Sequence, residues 1–494
     1  MLRKVRDKLS YLSLEFGLFA VCLVVLFYVV PVKLRKYVLL LGSLFFYGSY
    51  DLGYFLFLLC VAGSTFLAAQ MLHKKPKKSI LAITVALNVA IWYVIKVLPW
   101  TVWMLKRILS LVGLYFVEPE WNLLVPLGIS YYILQALSYL VDTYKGKIAP
   151  EKSFVNYLLF LSWFPAIVQG PISRYDKLMP QLLHQNKYSF DKMRDNLLVI
   201  SFGLIKKMVI ADRLGIFVNN CFSQYSELYG VTLYIAAVGY AIQLYTDFSG
   251  CVDICRGISG LFGVLLVPNF NRPYLSCSIK EFWGKWHMSL SSWLKDYIYI
   301  PLGGNRKGTL RKYANLMITF LVSGLWHGAG TKFFVWGAIH AIYQIFGQCT
   351  MGIRNRIKRW AGVEEKSTSE RIFQMLITFN LVVLAWIFFR SEGFMDAVQY
   401  IRNMFCDAQL WKLFDGSLYK LGLTQNYWSL LIAHICGLFA IELMTKEQND
   451  VVSCLTKQHI IIRWAVYFAL IFDIALFGVY GSGYDMSSFL YGGF

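Results

Sequence analysis

The chain alternates long apolar runs with short basic, glycine- and proline-bearing stretches. Roughly 20 apolar residues cross the hydrocarbon core of a bilayer as a helix. Leu14–Val30, Tyr54–Met71, Ile80–Leu98 and Ile372–Phe389 qualify. Ile462–Tyr480 also qualifies, despite Arg463 near its start and Asp473 inside it. Val231–Tyr245 is shorter and needs its flanks to complete a crossing. The pattern divides the chain in three: N-terminal helices over 1–150, a polar-interrupted core over 151–345, and C-terminal helices over 346–494. In the core, Pro, Gly and paired charges such as Lys206 and Lys207 break the apolar segments. No internal repeat or low-complexity tract marks off a soluble part, so 1–494 is expected to form a single membrane domain.

The core is informative because charge at mid-membrane costs roughly 2.5–3.5 kcal/mol on insertion scales. Asp247–His287 holds Asp253, Arg256, Arg272, Lys280, Glu281 and Lys285 with two prolines. It reads as surface or re-entrant helices and loops packed against the bundle, since irregular polar backbone at that depth must be enclosed by protein.

Composition agrees with a lipid-embedded chain: 57% of residues are hydrophobic, 17% aromatic and 15% charged. Soluble domains carry about a quarter charged residues. The net charge of +20 would suggest nucleic acid in a soluble protein. Here the basic clusters His73–Lys78, Asn305–Lys312 and Arg354–Arg359 sit between apolar runs. That is the pattern of cytoplasmic loops under the positive-inside rule, and it argues against a nucleic-acid partner. Ten cysteines include no CxxC pair, and several lie inside apolar runs. Cys251 and Cys255 have helical spacing but no histidine beside them, so neither disulfides nor a metal site is expected. The N-terminal MLRKVRDK precedes an apolar run as in a signal peptide, but Pro31 and the basic Lys33–Lys36 follow, with no small-residue cleavage site. Leu14–Val30 therefore reads as a retained span.

Seven histidines are present. His73, His184 and His459 lie in polar segments and read as solvated. His434 lies in an apolar run without an acidic neighbour in sequence and reads as a core or interfacial residue. His327 stands out in LVSGLWHGAG (Leu321–Gly330), at the end of an apolar helix among Gly324, Gly328, Ala329 and Gly330. An ionisable residue in such a setting is a functional candidate, and histidine suits a general base near neutrality. The small residues leave room either for a ligand or for a close helix contact. His287 sits in EFWGKWHMSLSSWL (Glu281–Leu294), whose Trp283, Trp286 and Trp293 could form an interfacial belt. His340 follows His327 by thirteen residues, about three and a half turns, so the two need not share a helix face. No GxSxG, Walker loop, HExxH or dinucleotide-binding glycine motif occurs.

The segments VPNFNRPYLSCSIKEFWGKWHMSLSSWLKDYIYIPLGGNRKG, LVSGLWHGAG and VWGAIH resemble the membrane-bound O-acyltransferase family, and within it the alginate O-acetyltransferase branch. PLGISYYILQALSYLVDTYKG, FPAIVQGPISRYDKLMPQL, QLYTDFSG and LAWIFFRSE extend the likeness over Val125–Glu392. The resemblance implies an all-α polytopic bundle of roughly 11–13 transmembrane helices, with re-entrant segments around a central tunnel. It implies that His327 matches the family's near-invariant histidine and His287 its second polar catalytic position. The run Cys251–Arg256 departs from the branch's usual uncharged, less cysteine-rich pattern around the aspartate, which bears on acceptor choice. PLGGNRKG favours the polysaccharide acetyltransferases over the D-alanyl transferases of teichoic acid.

The expected reaction moves an acyl group, foremost acetyl, from a cytoplasmic thioester across the membrane for O-acetylation of a cell-surface or exported polysaccharide. The donor is acetyl-CoA or another acyl thioester, with no tightly bound cofactor and no metal. Acyl transfer needs a base for the hydroxyl and a stabiliser for the oxyanion. His327 is expected to take the proton and His287 to orient the substrate or donate a hydrogen bond. Arg306, Lys307, Arg311 and Lys312 are weaker candidates for attracting the donor's phosphates, with topology as their alternative role. Implied partners are membrane lipid, the polysaccharide acceptor and an extracytoplasmic acetyltransferase protein, and the implied setting is the bacterial cytoplasmic membrane. Three rivals stand beside this reading: D-alanyl transfer to teichoic acid, a transporter of envelope lipid or polymer, and a structural scaffold. The transporter lacks the paired half-repeats many transporters show. A scaffold would not need the motifs around His287 and His327.

Overall fold

A computed structural model describes residues 9–117, 119–121, 123–184, 186–362, 367–445 and 448–480. The basic stretch Met1–Lys8 that bears on the signal-peptide reading lies outside the described residues. Among the described residues the ordered elements are helices, and no strand is present.

The chain falls into two compact units. The first gathers the chain up to Ile200 together with Cys251–Val267. It begins with α1 (Leu14–Val29), capped by Ser13, whose Oγ accepts the Phe16 N–H at 3.1 Å. Helices α2 (Val32–Gly48), α3 (Gly53–Lys74) and α4 (Lys78–Lys96) follow. Around them much of the apolar surface is exposed: Leu14, Val21 and Val25 on α1 and Ile83 and Leu87 on α4 all point out of the protein. Only a lipid environment makes that surface favourable. The centre of this unit is α5 (Ile129–Tyr144), on which nearly every side chain is buried. It starts at Gly128, whose φ of +73° suits glycine, and a Cβ there would lie 2.0 Å from the Ile167 carbonyl oxygen. Tyrosines tie the irregular segments down by donating from a ring that is otherwise apolar. Tyr47 donates to the Leu127 carbonyl at 3.0 Å and Tyr11 to the Phe164 carbonyl at 2.8 Å.

The second unit holds Ser201–Gly250 and the chain from Pro268. It opens with a π-helical turn, Ile205–Ala211. The helix α6 (Val231–Leu261), which belongs to this unit as far as Gly250 and to the first from Cys251, has 31 residues, about 46 Å at the usual rise. The sequence pattern gives Val231–Tyr245 as a short span in need of its flanks and Asp247–His287 as surface or re-entrant helices and loops; the flank that completes the helix is the start of that polar stretch, Asp247 and Asp253 included. The physical reason is a partner the local sequence does not show. Lys207 Nζ lies 2.5 Å from Asp247 Oδ1 and 2.8 Å from Asp212 Oδ1, with Lys207 1% exposed and Asp247 2%. Downstream, α7 (Ile279–Lys285) and α8 (Met288–Leu294) are single short helices. Ser278 caps α7, its Oγ accepting the Glu281 N–H at 3.2 Å, while the Glu281 carboxylate accepts the Cys277 N–H at 2.8 Å. Then come α9 (Thr309–His327), α10 (Thr331–Cys349) and α11 (Thr368–Arg390), followed by α12 (Gln425–Met444) and α13 (Ile460–Phe477).

Five described helices are long and apolar enough to cross a membrane: α3, α4, α11, α12 and α13. Four of them match predicted spans, with ends displaced by a few residues, and α12 is an additional one. The apolar window of α13 has no buried residue, so this helix faces outward. The predicted span Leu14–Val30 appears as the 16-residue α1. The protein is a helical membrane protein.

Candidate active site

Helices α9 and α10 are joined by only Gly328–Gly330, so they run antiparallel side by side. Their axes approach closely because each offers a glycine where the other presents backbone. A Cβ on Gly324 would lie 2.3 Å from the Phe333 carbonyl oxygen, and one on Gly337 would lie 2.3 Å from that of Phe320. Of the two roles open to the small residues near His327, Gly324 therefore takes the helix contact. Gly328 is filled as well, its face covered by the Phe333 ring.

His327 is the last residue of α9 and is 2% exposed. Its imidazole sits among aromatic rings, with centroids 4.9 Å from Trp326, 5.1 Å from Trp336 and 5.5 Å from Phe389. His287 is 0% exposed and occupies the bend between α7 and α8. Its backbone is left-handed, with φ 45° and ψ 52°. For a residue with a Cβ this costs on the order of 1–3 kcal/mol, and such outliers gather where geometry matters. The bend lifts the ring out of the path of either short helix. It lies 4.8 Å from the Phe248 ring and 5.8 Å from Trp326, and its centroid is 6.3 Å from that of His327. Residues 40 apart in sequence thus share one aromatic enclosure, with Trp326 against both.

His340 completes the cluster. It is fully buried on α10 and stands on the far side of Trp336, ring centroids 5.0 Å apart. The Trp283 indole N–H donates to His340 Nδ1 at 3.2 Å. Indole is donor only, so the neutral His340 carries its proton on Nε2. Trp283 was read as part of an interfacial belt; it is buried, as are Trp286 and Trp293, and it holds a histidine. Nothing in the spacing of His327 and His340 signalled that a tryptophan would stand between them.

The basic candidates are placed elsewhere. Arg306, Lys307 and Arg311 are exposed and Lys312 half-buried, all at the start of α9 or just before it. His327 is at the other end, about 24 Å along the helix from Arg311. These cations do not touch the histidine cluster. His73, His184 and His459 are exposed, as expected. His434, read as lacking an acidic neighbour, has one in space: its Nε2 is 2.9 Å from Asp473 Oδ1, across 39 residues of sequence, and its Nδ1 is 2.8 Å from the Leu430 carbonyl. Among the described residues, no group of three or more His, Cys, Asp or Glu gathers in a way that could hold a metal ion.

Two buried imidazoles in one dry enclosure can serve acyl transfer to an alcohol, one as proton acceptor and one as hydrogen-bond donor. The family model of MBOAT, the membrane-bound O-acyltransferase family, matches residues 11–364. The chain belongs to this family. It is therefore a membrane-bound O-acyltransferase. It is 34% identical over 390 residues to a probable alginate O-acetylase of Pseudomonas putida, covering 77% of this chain and 76% of the relative. It is 36% identical over 309 residues to the peptidoglycan O-acetyltransferase of Helicobacter pylori, covering 57% of each. Similarity to the teichoic acid D-alanyltransferase of Bacillus subtilis is lower, 27% over 293 residues, covering 56% of this chain and 71% of that one. The O-acyltransferase family match spans both units and includes His287, His327 and His340, whereas His434 and Asp473 fall outside it.

Proposed function

We propose that this O-acyltransferase moves an acetyl group from a cytoplasmic acyl thioester, such as acetyl-CoA, to a hydroxyl that leads to O-acetylation of an exported or cell-surface polysaccharide, in the cytoplasmic membrane of a bacterium. The observation that carries the reading is the enclosure of His287 and His327, 6.3 Å apart and shielded from water, in a chain similar to alginate and peptidoglycan O-acetylases. His327 takes the proton of the acceptor hydroxyl as its oxygen attacks the thioester carbonyl. His287 donates a hydrogen bond to the oxygen that becomes negative. The C–O bond forms, the C–S bond breaks, and the proton passes to the departing thiolate. Water exclusion by Trp326, Trp336 and Phe389 protects the thioester from hydrolysis and strengthens the hydrogen bonds to developing charge. Arg306, Lys307 and Arg311, away from this centre, form a surface for the donor's phosphates. An extracytoplasmic transferase carries the acetyl group onward to the polymer.

The test is polymer-bound acetate in cells expressing the wild type or His327→Ala at matched membrane levels. Loss of acetate in the variant alone supports the proposal. Unchanged acetate in the variant sinks the role of His327. If the wild type instead adds D-alanine ester to the polymer and no acetate, the acyl group is D-alanyl and the histidine chemistry carries over.

A further inference from the structure

The bend that presents His287 is held from outside. Residues 269–271 form neither helix nor strand and run beside 285–289 through three hydrogen bonds. The Asn271 N–H donates to the Lys285 carbonyl at 3.0 Å, and the Met288 N–H donates to the Asn269 carbonyl at 3.0 Å. The Ser289 N–H donates to Asn269 Oδ1, also at 3.0 Å. His287 lies between these fastenings in its left-handed conformation.

Met288 and Ser289 open α8, and the first N–H groups of a helix have no partner within it. A capping side chain normally comes from the residue just before the helix. That residue is His287, which offers no cap hydrogen bond. Asn269 accepts both N–H groups instead, one with its main chain and one with its side chain, from a separate segment. Its orientation is fixed, because only Oδ1 can accept from Ser289. The consequence is that Nδ2 is buried and has no partner among the described residues. A buried unmet donor is unfavourable. An apolar residue would avoid that penalty, so the amide is in place for its acceptor.

We propose that Asn269 is a positioning residue for acyl transfer: it clamps the turn that holds the His287 imidazole beside His327. The inference rests on the role given to His287 above. Because Asn269 acts through His287, removing the clamp lets the turn relax towards ordinary helical backbone and carries the ring away. Misplacement by about 1 Å at a reacting centre can cost on the order of 100-fold in rate.

The experiment uses the full chain in lipid nanodiscs, with a labelled acetyl thioester as donor, and reads kcat, KM and the melting temperature. Asn269→Leu should lower kcat roughly 10- to 100-fold while KM moves by less than about threefold. Asn269→Asp keeps an acceptor for Ser289 and should retain kcat within about fivefold of wild type. Wild-type kcat in the folded Asn269→Leu protein overturns the proposal, and so does a loss in Asn269→Asp as deep as in Asn269→Leu. A melting-temperature cycle tests the clamp without activity. Glycine takes the left-handed turn freely. The fall in melting temperature caused by Asn269→Leu should therefore shrink by about half or more in a His287→Gly background. An equal fall in both backgrounds means that Asn269 does not hold this turn. Full kcat in His287→Ala would remove the catalytic reading of His287, while the melting cycle would still judge the clamp.

Discussion

Helices α9 and α10 on one side, and α12 and α13 on the other, each set a histidine at a helix contact, and they use it in opposite ways. His434 on α12 is about one-fifth exposed and meets a carboxylate, Asp473, on α13. His327 is buried among rings, with two further histidines close by. Judged by the familiar pairing of histidine with carboxylate, the C-terminal pair is the more conspicuous. The physics points the other way. An imidazole already fastened at both nitrogens, as His434 is between Asp473 and the Leu430 carbonyl, has no nitrogen left for a substrate proton. The centre at the end of α9 sets His327 and His287 in one water-poor enclosure, an arrangement that suits the proposed proton transfer and oxyanion stabilisation.

The contrast can be broken most sharply by activity. His327→Ala should lower kcat by about 10²- to 10⁴-fold, the range for losing a general base. His434→Ala should leave kcat within about twofold, as expected for a residue away from the chemistry. Comparable losses in both would end the distinction. The next effect concerns charge that is buried for structure. Lys207→Met takes the lysine cation away from Asp247 and Asp212, and removing one partner of a buried ion pair costs about 3–5 kcal/mol. Thermal unfolding in detergent should show that loss, and the triple variant Lys207→Met, Asp212→Asn, Asp247→Asn should regain most of it. A smaller effect tests the helix crossing. Gly324→Val forces α9 off the Phe333 carbonyl and should cost about 1–3 kcal/mol with a fall in kcat. Gly347→Ala on α10, where a Cβ would meet nothing within 4 Å, should change neither. The smallest expected change is in stability for His434→Ala: at most about 1 kcal/mol by the same melting measurement, since both partners are about one-fifth exposed.

The comparison also bears on how much of this protein can be read from the chain. Helical class, membrane residence and most of the spans follow from run length and apolar content, because lipid leaves the backbone little choice but to bond within the segment. The motifs LWHGAG and KWHMSL carried His327 and His287, and the glycines beside His327 signalled a close approach without saying to what. Four features stayed hidden: the Lys207 pair with Asp247, the Trp283 contact to His340, the Asp473 contact to His434, and the Asn269 clamp. Each joins residues remote in sequence, and a local reading weighs such groups alone. That is why the sequence pattern ends the apolar span before Asp247: a lone aspartate is too costly for a membrane helix, whereas one facing a buried lysine is not.

By itself, then, the sequence determined the solvent of this protein, its helical class and the two histidines proposed to carry its chemistry. Hydrophobic transfer and backbone hydrogen bonding act over one helix length, and that is a range a sequence window can see. The tertiary structure decided which histidines meet, which charges are neutralised and how His287 is held. Those outcomes depend on contacts of a few ångströms between segments well separated in the chain, and only packing brings such segments together.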